Sequence, residues 1–251
     1  MIYGSDQIWN GKHTKGPDNI FWGYLSNPNT KRISYAASSS VNFFNTGNYC
    51  YVKNALQNFN SISVRECAIK KKLQNYTTKD IAVVVDPVLL LSKEEWEEKL
   101  NLSDIKQDYI LVYQIRNNPL TIEIAKDYAK KKNLKIIILT KLVYQKLDSR
   151  LNQCASPIQF VNLIKNASLI VTTSFHGTIF SLVFRKNFYT VSIDSEVDER
   201  SMSVLSSIGL TTRLVHEKPI NYENVEYDER LICKLNKLIN DSKNYIKTAI
   251  L

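Results

Sequence analysis

The feature that most constrains the fold of this 251-residue chain is the regular alternation of apolar strands and helices in its second half. Each β-rich run is followed by a helical segment of the length that crosses back over a sheet. The predicted strands span residues 109–115, 134–139, 168–173 and 188–193, and helices are predicted to begin at Pro119, Pro157 and His176. Such alternation is typical of a parallel sheet that is covered by helices on both faces.

The first third of the chain has shorter β-rich runs, separated by polar turns and two helical segments. The predicted strands are 31–36, 61–65 and 81–86, and the predicted helices are 51–59 and 66–73. A polar stretch at 101–108 has the composition of a linker. We therefore predict an α/β protein of two domains, 1–100 and 101–251, the second of which is more complete and ends in a long amphipathic helix.

Composition places the chain among ordinary globular proteins, since 44% of its residues are hydrophobic and 23% are charged. No apolar run approaches the roughly 18 to 20 residues that a membrane-spanning helix needs, and the N-terminus lacks the pattern of a secretory signal. The four cysteines (Cys50, Cys67, Cys154 and Cys233) form no CxxC pair. We expect neither a disulfide framework nor a zinc site, and a reducing cytoplasm as the location.

The net charge of +9 favours anionic partners. The sequence contains no nucleic-acid recognition motif, so we do not expect nucleic acid to be the partner. The lysine triplets at 70–72 and 130–132 fall at the ends of predicted helices, where lysine complements the helix dipole. A phosphorylated substrate or an anionic membrane surface remain as partners, and the second would imply peripheral association with the inner face of the membrane.

The stretch "TTSFHGTIFSLVF" at 172–184 places polar residues between two hydrophobic blocks. It reads as the end of a strand, a tight turn and the start of a helix. Ser174 is predicted to cap that helix, and Gly177 would let a ligand approach the backbone. Because ligands of parallel α/β sheets bind where strand ends meet helix N-termini, we expect an anion site at this turn.

His176 lies in the first turn of that predicted helix. The positive end of the helix dipole disfavours the imidazolium, so we expect a neutral side chain that a bound phosphate would help to protonate. His176 could then act as an anion anchor or as a general acid. The alternative is that Ser174 only caps and that His176 is a core group. A serine nucleophile is disfavoured, because there is no G-x-S-x-G elbow and neither His13 nor His216 has a motif setting.

Several motifs, in order along residues 3–213, resemble the polysaccharide pyruvyl transferase family. They are "YGSDQIWN" (3–10), "RISYAAS" (32–38), "SISVRE" (61–66), "VVDPVLLLS" (84–92), "PIQFVNLIKNASLIVTTSFHGTIFSLVFRKNF" (157–188) and "RSMSVLSSIGL" (200–210). The resemblance implies two Rossmann-like α/β domains of GT-B-like architecture. It also implies transfer of pyruvate from phosphoenolpyruvate to a sugar hydroxyl pair of a bacterial surface polysaccharide, without cofactor or metal. The acceptor would be a saccharide or a lipid-linked glycan.

The same resemblance assigns roles to individual residues. His176 and Arg65 match residues that hold or act on the donor, and Ser174, Gly177 and Arg200 fall on the donor side. The acceptor-side residues would be Asp6, Gln7 and Trp9, with Trp9 as a stacking platform. Four of these assignments have a structural alternative: Arg65 could pair with Glu66 or a surface acid, Arg200 could form a structural ion pair, Asp6 could cap a turn, and Trp9 could belong to the core.

The chain departs from the family pattern in two places. Relatives usually carry about a hundred residues before "GSDQ", so the N-terminal domain is expected to be incomplete, and Thr173 stands where an aspartate is frequent. The sequence leaves two other functions open. The chain could be a GT-B-type glycosyltransferase that uses a nucleotide sugar, or an inactive, N-terminally truncated fragment.

Overall fold

The computed structural model describes residues 1–24, 27, 29–45, 48–140, 155–194 and 196–251. These residues form two compact units. The first unit comprises Met1–Leu90 together with Cys233–Leu251, and the second comprises Leu91–Ile232.

The first unit contains four short parallel strands. They are β1 (Ile2–Tyr3), β2 (Ile33–Ser34), β3 (Ile62–Val64) and β4 (Ile81–Val83). The helices are α1 (Gly11–Thr14), α2 (Tyr49–Gln57) and α3 (Cys67–Leu73), with 3-10 turns at Val41–Asn45 and Pro87–Leu90. β1 pairs with β2 and β3 pairs with β4. The carboxyl ends of the parallel strands therefore face the same edge.

Serine hydroxyls join β2 to β3, where only isolated bridges are formed in the described chain. Ser63 Oγ donates to the Ser34 carbonyl at 2.8 Å, and Ser34 Oγ accepts from the Ser63 amide at 2.8 Å. The Ala36 amide also donates to Ser63 Oγ, at 3.2 Å. Side chains thus satisfy backbone groups that a regular ladder would otherwise pair, so that these buried polar groups are not left unsatisfied.

An aromatic cluster forms much of the core of the first unit. Trp9 stacks on Trp22 with ring centroids 4.6 Å apart, and both side chains are fully buried. Phe59 meets Trp9 edge-on at 5.7 Å. The Trp9 indole also donates from Nε1 to the Phe21 carbonyl at 3.0 Å, which satisfies its polar atom inside the core.

The second unit is a five-stranded parallel sheet in the order β6-β5-β7-β8-β9. The strands are β5 (Tyr109–Gln114), β6 (Lys135–Thr140), β7 (Leu169–Thr172), β8 (Phe188–Val191) and β9 (Leu214–Val215). The helices are α4 (Lys93–Leu100), α5 (Pro119–Lys132), α6 (Pro157–Asn166), α7 (Phe175–Val183) and α8 (Glu196–Ile208), with a 3-10 turn at Thr211–Arg213. The alternation predicted for this half of the chain is confirmed.

Local sequence signals explain where several of these helices begin. Ser92 and Ser156 each form a capping box with the residue three positions later, Glu95 and Gln159. Asn118 caps α5, and Pro119 occupies the first helical position, where its missing N–H costs nothing.

The compact units divide the chain differently from the predicted domains. The helix α9 (Glu229–Ile250) was expected in the C-terminal domain, but its residues from Cys233 onward belong to the first unit. Two hydrogen bonds account for this: Tyr245 Oη donates to the Ser34 carbonyl at 2.9 Å, and Ser242 Oγ accepts from the Val85 amide at 2.9 Å. The division after Leu90 also lies ten residues before the predicted boundary at 100.

Candidate functional site

The strand order of the second unit creates a switch point between β5 and β7. The chain leaves β5 for β6 on one side and returns to β7 on the other side of β5. In parallel α/β sheets, ligands bind outside the carboxyl ends of the strands at such a switch point. The turn between β7 and α7, which contains Ser174 and His176, lies at this point.

Hydrogen bonds define the turn closely. Ser174 caps α7 as predicted, since its Oγ accepts from the Gly177 amide at 3.4 Å. Thr172 Oγ1 accepts from the Ser174 amide at 2.9 Å and donates to the Tyr113 carbonyl of β5 at 2.8 Å. The start of the helix is therefore held to both strands that flank the switch point.

His176 is the one residue between Leu169 and Phe184 that is not buried. Its neighbours along the helix, including Phe175 and Thr178, are enclosed in the core. The imidazole is half-buried and lies edge-on to the ring of Phe175, with centroids 5.5 Å apart. A polar side chain thus reaches the surface from an otherwise enclosed strand and helix, at the edge of the sheet where ligands bind.

Gly177 has a different role from the one that the sequence suggested. A Cβ at this position would lie 2.4 Å from Thr172 Oγ1, and the Gly177 amide already donates to Ser174. The residue is fully enclosed. The glycine is therefore required for the helix to pack against β7, and the expectation that it admits a ligand is corrected.

Thr173 fastens the loop after β5 to the same turn. Its Oγ1 donates to the Arg116 carbonyl at 3.2 Å and accepts from the Ile115 amide at 3.2 Å. The Arg116 amide lies 3.5 Å from the same oxygen. The sequence did not single out Arg116, because a hydrogen bond between residues 57 positions apart leaves no local signal.

Tyr113 of β5 is a second residue beside this turn that the sequence analysis did not identify. It lies near the end of β5, and its ring stacks at a tilt on Phe160 with centroids 4.6 Å apart. Burial raises the pKa of the Tyr113 phenol, and a hydrogen bond with the Ser174 side chain offsets part of the rise. The phenol is therefore a neutral hydrogen-bonding group at neutral pH.

Arg200 lies in α8, the helix that follows β8, and its side chain is half-buried. Two residues before Arg200, Asp198 accepts from the Ile193 amide at 3.1 Å and from Ser192 Oγ at 2.8 Å. Arg200 and His176 belong to the same compact unit. A contact between Arg200 and a donor stays a prediction.

In the first unit, strand ends bring together one arginine and three carboxylates. Arg65 Nη1 donates to Asp86 at 2.7 Å, Nε donates to Glu66 at 3.0 Å, and Nη2 reaches Asp6 at 3.4 Å. The side chains of Arg65, Glu66 and Asp86 are at most 4% exposed, whereas that of Asp6 is 62% exposed. We call these four residues the Arg65 cluster.

The buried carboxylates of the Arg65 cluster keep the guanidinium of Arg65 charged. Burial by itself would lower the pKa of Arg65, but attraction to Glu66 and Asp86 outweighs it and raises that pKa. The guanidinium is thus charged at any physiological pH. Arg65 forms ion pairs with Glu66 at 3.0 Å and with Asp86 at 2.7 Å, so the pairing alternative for Arg65 is what the structure shows. A clamp on the donor by Arg65 stays a prediction.

The other predicted acceptor residues, Gln7 and Trp9, follow Asp6 directly in the sequence. Trp9 is 0% exposed and stacked on Trp22, so no face of its indole is open to a sugar, and the platform role is corrected to a core role. Gln7 is half-buried, and its Oε1 accepts from Asn10 Nδ2 at 3.3 Å. Asp6 is the exposed acid of this group and adopts a left-handed backbone conformation with φ of 64°.

The described residues contain neither a metal-binding cluster nor a helix that could cross a membrane. No group of three or more histidine, cysteine, aspartate or glutamate side chains there could hold a metal ion. Within the same residues, no helix has both the length and the apolar character for a membrane crossing. Of the four cysteines, Cys50, Cys67 and Cys233 are free and exposed, and Cys154 lies outside the described residues.

Comparison with known proteins yields a family and a fold. Residues 1–195 match the family model of polysaccharide pyruvyl transferases. No curated protein sequence matches the chain at a significant level. A UDP-N-acetylglucosamine 2-epimerase from Rickettsia bellii is similar in structure, with a TM-score of 0.51 and 14% identity over 88% of this chain and 67% of that one. This likeness confirms the predicted fold class, Rossmann-like α/β domains of GT-B-like type.

A second solved structure is less similar. A protein from Listeria monocytogenes, assigned as a UDP-N-acetylglucosamine 2-epimerase, has a TM-score of 0.39 and 12% identity over 88% of this chain and 61% of its own.

Proposed function

Since the chain belongs to the polysaccharide pyruvyl transferase family, we propose that it transfers the pyruvyl group of phosphoenolpyruvate to two hydroxyls of one sugar in a bacterial surface polysaccharide. The products would be a cyclic pyruvate ketal and inorganic phosphate. The family implies a polysaccharide acceptor and an enzyme of this type. The donor and the ketal are our proposal.

The observation that carries the proposal is the exposure of His176 at the switch point. It is the only residue between Leu169 and Phe184 that is not buried, and it lies in the first turn of α7. The positive end of the helix dipole at this turn favours a negatively charged group such as a phosphate. A donor that carries a phosphate therefore meets a favourable electrostatic field and the side chain of His176 at the same turn.

The chemistry of the reaction assigns a proton transfer to this site. Protonation of the methylene carbon of phosphoenolpyruvate leaves an oxocarbenium-like centre at the carbon that bears the phosphate. One sugar hydroxyl adds to that carbon and loses its proton. The second hydroxyl then forms a bond to the same carbon as the bond between that carbon and the phosphate oxygen breaks, and its proton leaves with the inorganic phosphate. We propose that His176, once charged by the nearby phosphate, delivers the first proton or holds the phosphate as it leaves.

The acceptor would be recognised by groups of the first unit. Asp6 is the exposed carboxylate of the Arg65 cluster, and Gln7 follows it directly. We propose that Asp6 and Gln7 bind hydroxyls of the acceptor sugar through hydrogen bonds.

A thermal-shift comparison tests the donor directly. A ligand at about a hundredfold its Kd stabilises the folded state by about 2.7 kcal/mol, which corresponds to a rise in Tm of roughly 5 to 10 °C for a chain of this size. We expect phosphoenolpyruvate to produce this rise and UDP-N-acetylglucosamine to produce none. The opposite pattern would support the nucleotide-sugar glycosyltransferase and contradict our proposal.

A further inference from the structure

Phosphoenolpyruvate carries two anionic groups on one small skeleton, and the start of α7 with His176 suits one of them, the phosphate. This inference rests on the proposed function. The first turn of α7, together with His176, offers a partner for the phosphate. The carboxylate of the donor needs a second cationic group, and a planar guanidinium binds a carboxylate through two parallel hydrogen bonds.

Arg65 is poorly suited to be that group. Its guanidinium donates to Asp86 at 2.7 Å and to Glu66 at 3.0 Å, and both partners are as buried as Arg65 itself. An added carboxylate would approach a guanidinium that two buried carboxylates already contact, and these carboxylates would repel it. The donor carboxylate would therefore have to displace an established partner from Arg65 at a cost in electrostatic energy.

Arg116 lies on the loop that Thr173 fastens to the turn carrying His176. Thr173 Oγ1 is 3.2 Å from both the Ile115 amide nitrogen and the Arg116 carbonyl oxygen. Arg116 follows β5 and His176 follows β7, so the two residues stand on either side of the switch point. Thr173 therefore fixes the backbone of Arg116 beside the start of α7.

The side chain of Arg116 is available to a ligand. The residue is exposed, and among the described residues its guanidinium forms no ion pair and no hydrogen bond. No partner would therefore be lost when an anion binds. We propose that Arg116 binds the carboxylate of the donor, and that it determines the selectivity for phosphoenolpyruvate over phosphate esters that lack a carboxylate.

Calorimetric titration of the whole chain with phosphoenolpyruvate and with methyl phosphate tests this assignment. Loss of hydrogen bonds to a charged partner predicts a decrease of about 10- to 100-fold in the affinity of Arg116→Gln for phosphoenolpyruvate. Its affinity for methyl phosphate should stay within about twofold of wild type, since methyl phosphate has no carboxylate. Arg116→Lys should fall between wild type and Arg116→Gln.

Arg185→Gln is the matched control. Arg185 is an exposed arginine that follows the C-terminal end of α7, whereas Arg116 lies by its beginning. The control removes the same charge from the same unit and should leave both affinities unchanged. Unchanged affinity of Arg116→Gln for phosphoenolpyruvate, or an equal loss for both ligands, would overturn the assignment of Arg116 alone. Failure of the wild type to bind phosphoenolpyruvate would overturn the proposed function as well.

Discussion

The His176→Gln variant is expected to convert phosphoenolpyruvate about 10²- to 10⁴-fold more slowly than wild type, the usual contribution of a general acid. Glutamine preserves the size and a hydrogen-bond donor of histidine but cannot carry or deliver a proton. The side chain is half-buried at the start of α7, so the substitution should leave the fold intact. Phosphate release in the presence of an acceptor glycan measures the rate, and circular dichroism checks the fold.

The kinetic pattern separates the two roles of His176. If the imidazole delivers the proton, kcat falls while KM for phosphoenolpyruvate changes little; if it anchors the phosphate, KM rises instead. His216→Gln is the control, because His216 is also a surface histidine of the second unit, 65% exposed in its side chain and 3.5 Å from Asp194. Full activity of His176→Gln would exclude both roles.

The Arg65→Met variant is expected to lose about 3 to 5 kcal/mol of folding free energy, the usual cost of breaking a buried ion pair. Methionine leaves Glu66 and Asp86 buried without their counter-charge. Urea denaturation of the variant and of wild type measures the loss.

Two further variants separate stability from ligand binding at Arg65. Asp6→Asn removes the exposed partner of the Arg65 cluster and should cost less than about 1 kcal/mol, as exposed ion pairs do. Arg65→Lys keeps the charge but not the forked geometry. If Arg65→Lys folds and loses affinity for phosphoenolpyruvate, the clamp inferred from the family resemblance holds. A cost below 1 kcal/mol for Arg65→Met would contradict the buried ion-pair account.

The sequence sufficed for features that depend on neighbouring residues. The alternating strands of the second unit follow from hydrophobic runs, and the cap at Ser174 follows from a small polar residue before an apolar helix. The same local signals placed Pro119 and Pro157 at the first positions of α5 and α6. Each of these features depends on residues that are only a few positions apart in the sequence.

Features that depend on distant partners could not be predicted. The Arg65 cluster joins the ends of three strands, and Arg65 and Asp6 are 59 positions apart. Trp9 is buried because Trp22 and Phe59 cover it, which no local pattern around "GSDQIWN" reveals. The same holds for the hydrogen bonds that Tyr245 and Ser242 of α9 form with Ser34 and Val85.

The most direct test of the account is a nuclear magnetic resonance titration of the histidine side chains with phosphoenolpyruvate. The chain has three histidines, so His176→Gln assigns its ring resonance by loss of one signal. We predict that phosphoenolpyruvate shifts the His176 resonance in a saturable manner, and that the signals of His13 and His216 stay in place. A His176 resonance that does not move at saturating phosphoenolpyruvate would contradict the donor site at the start of α7.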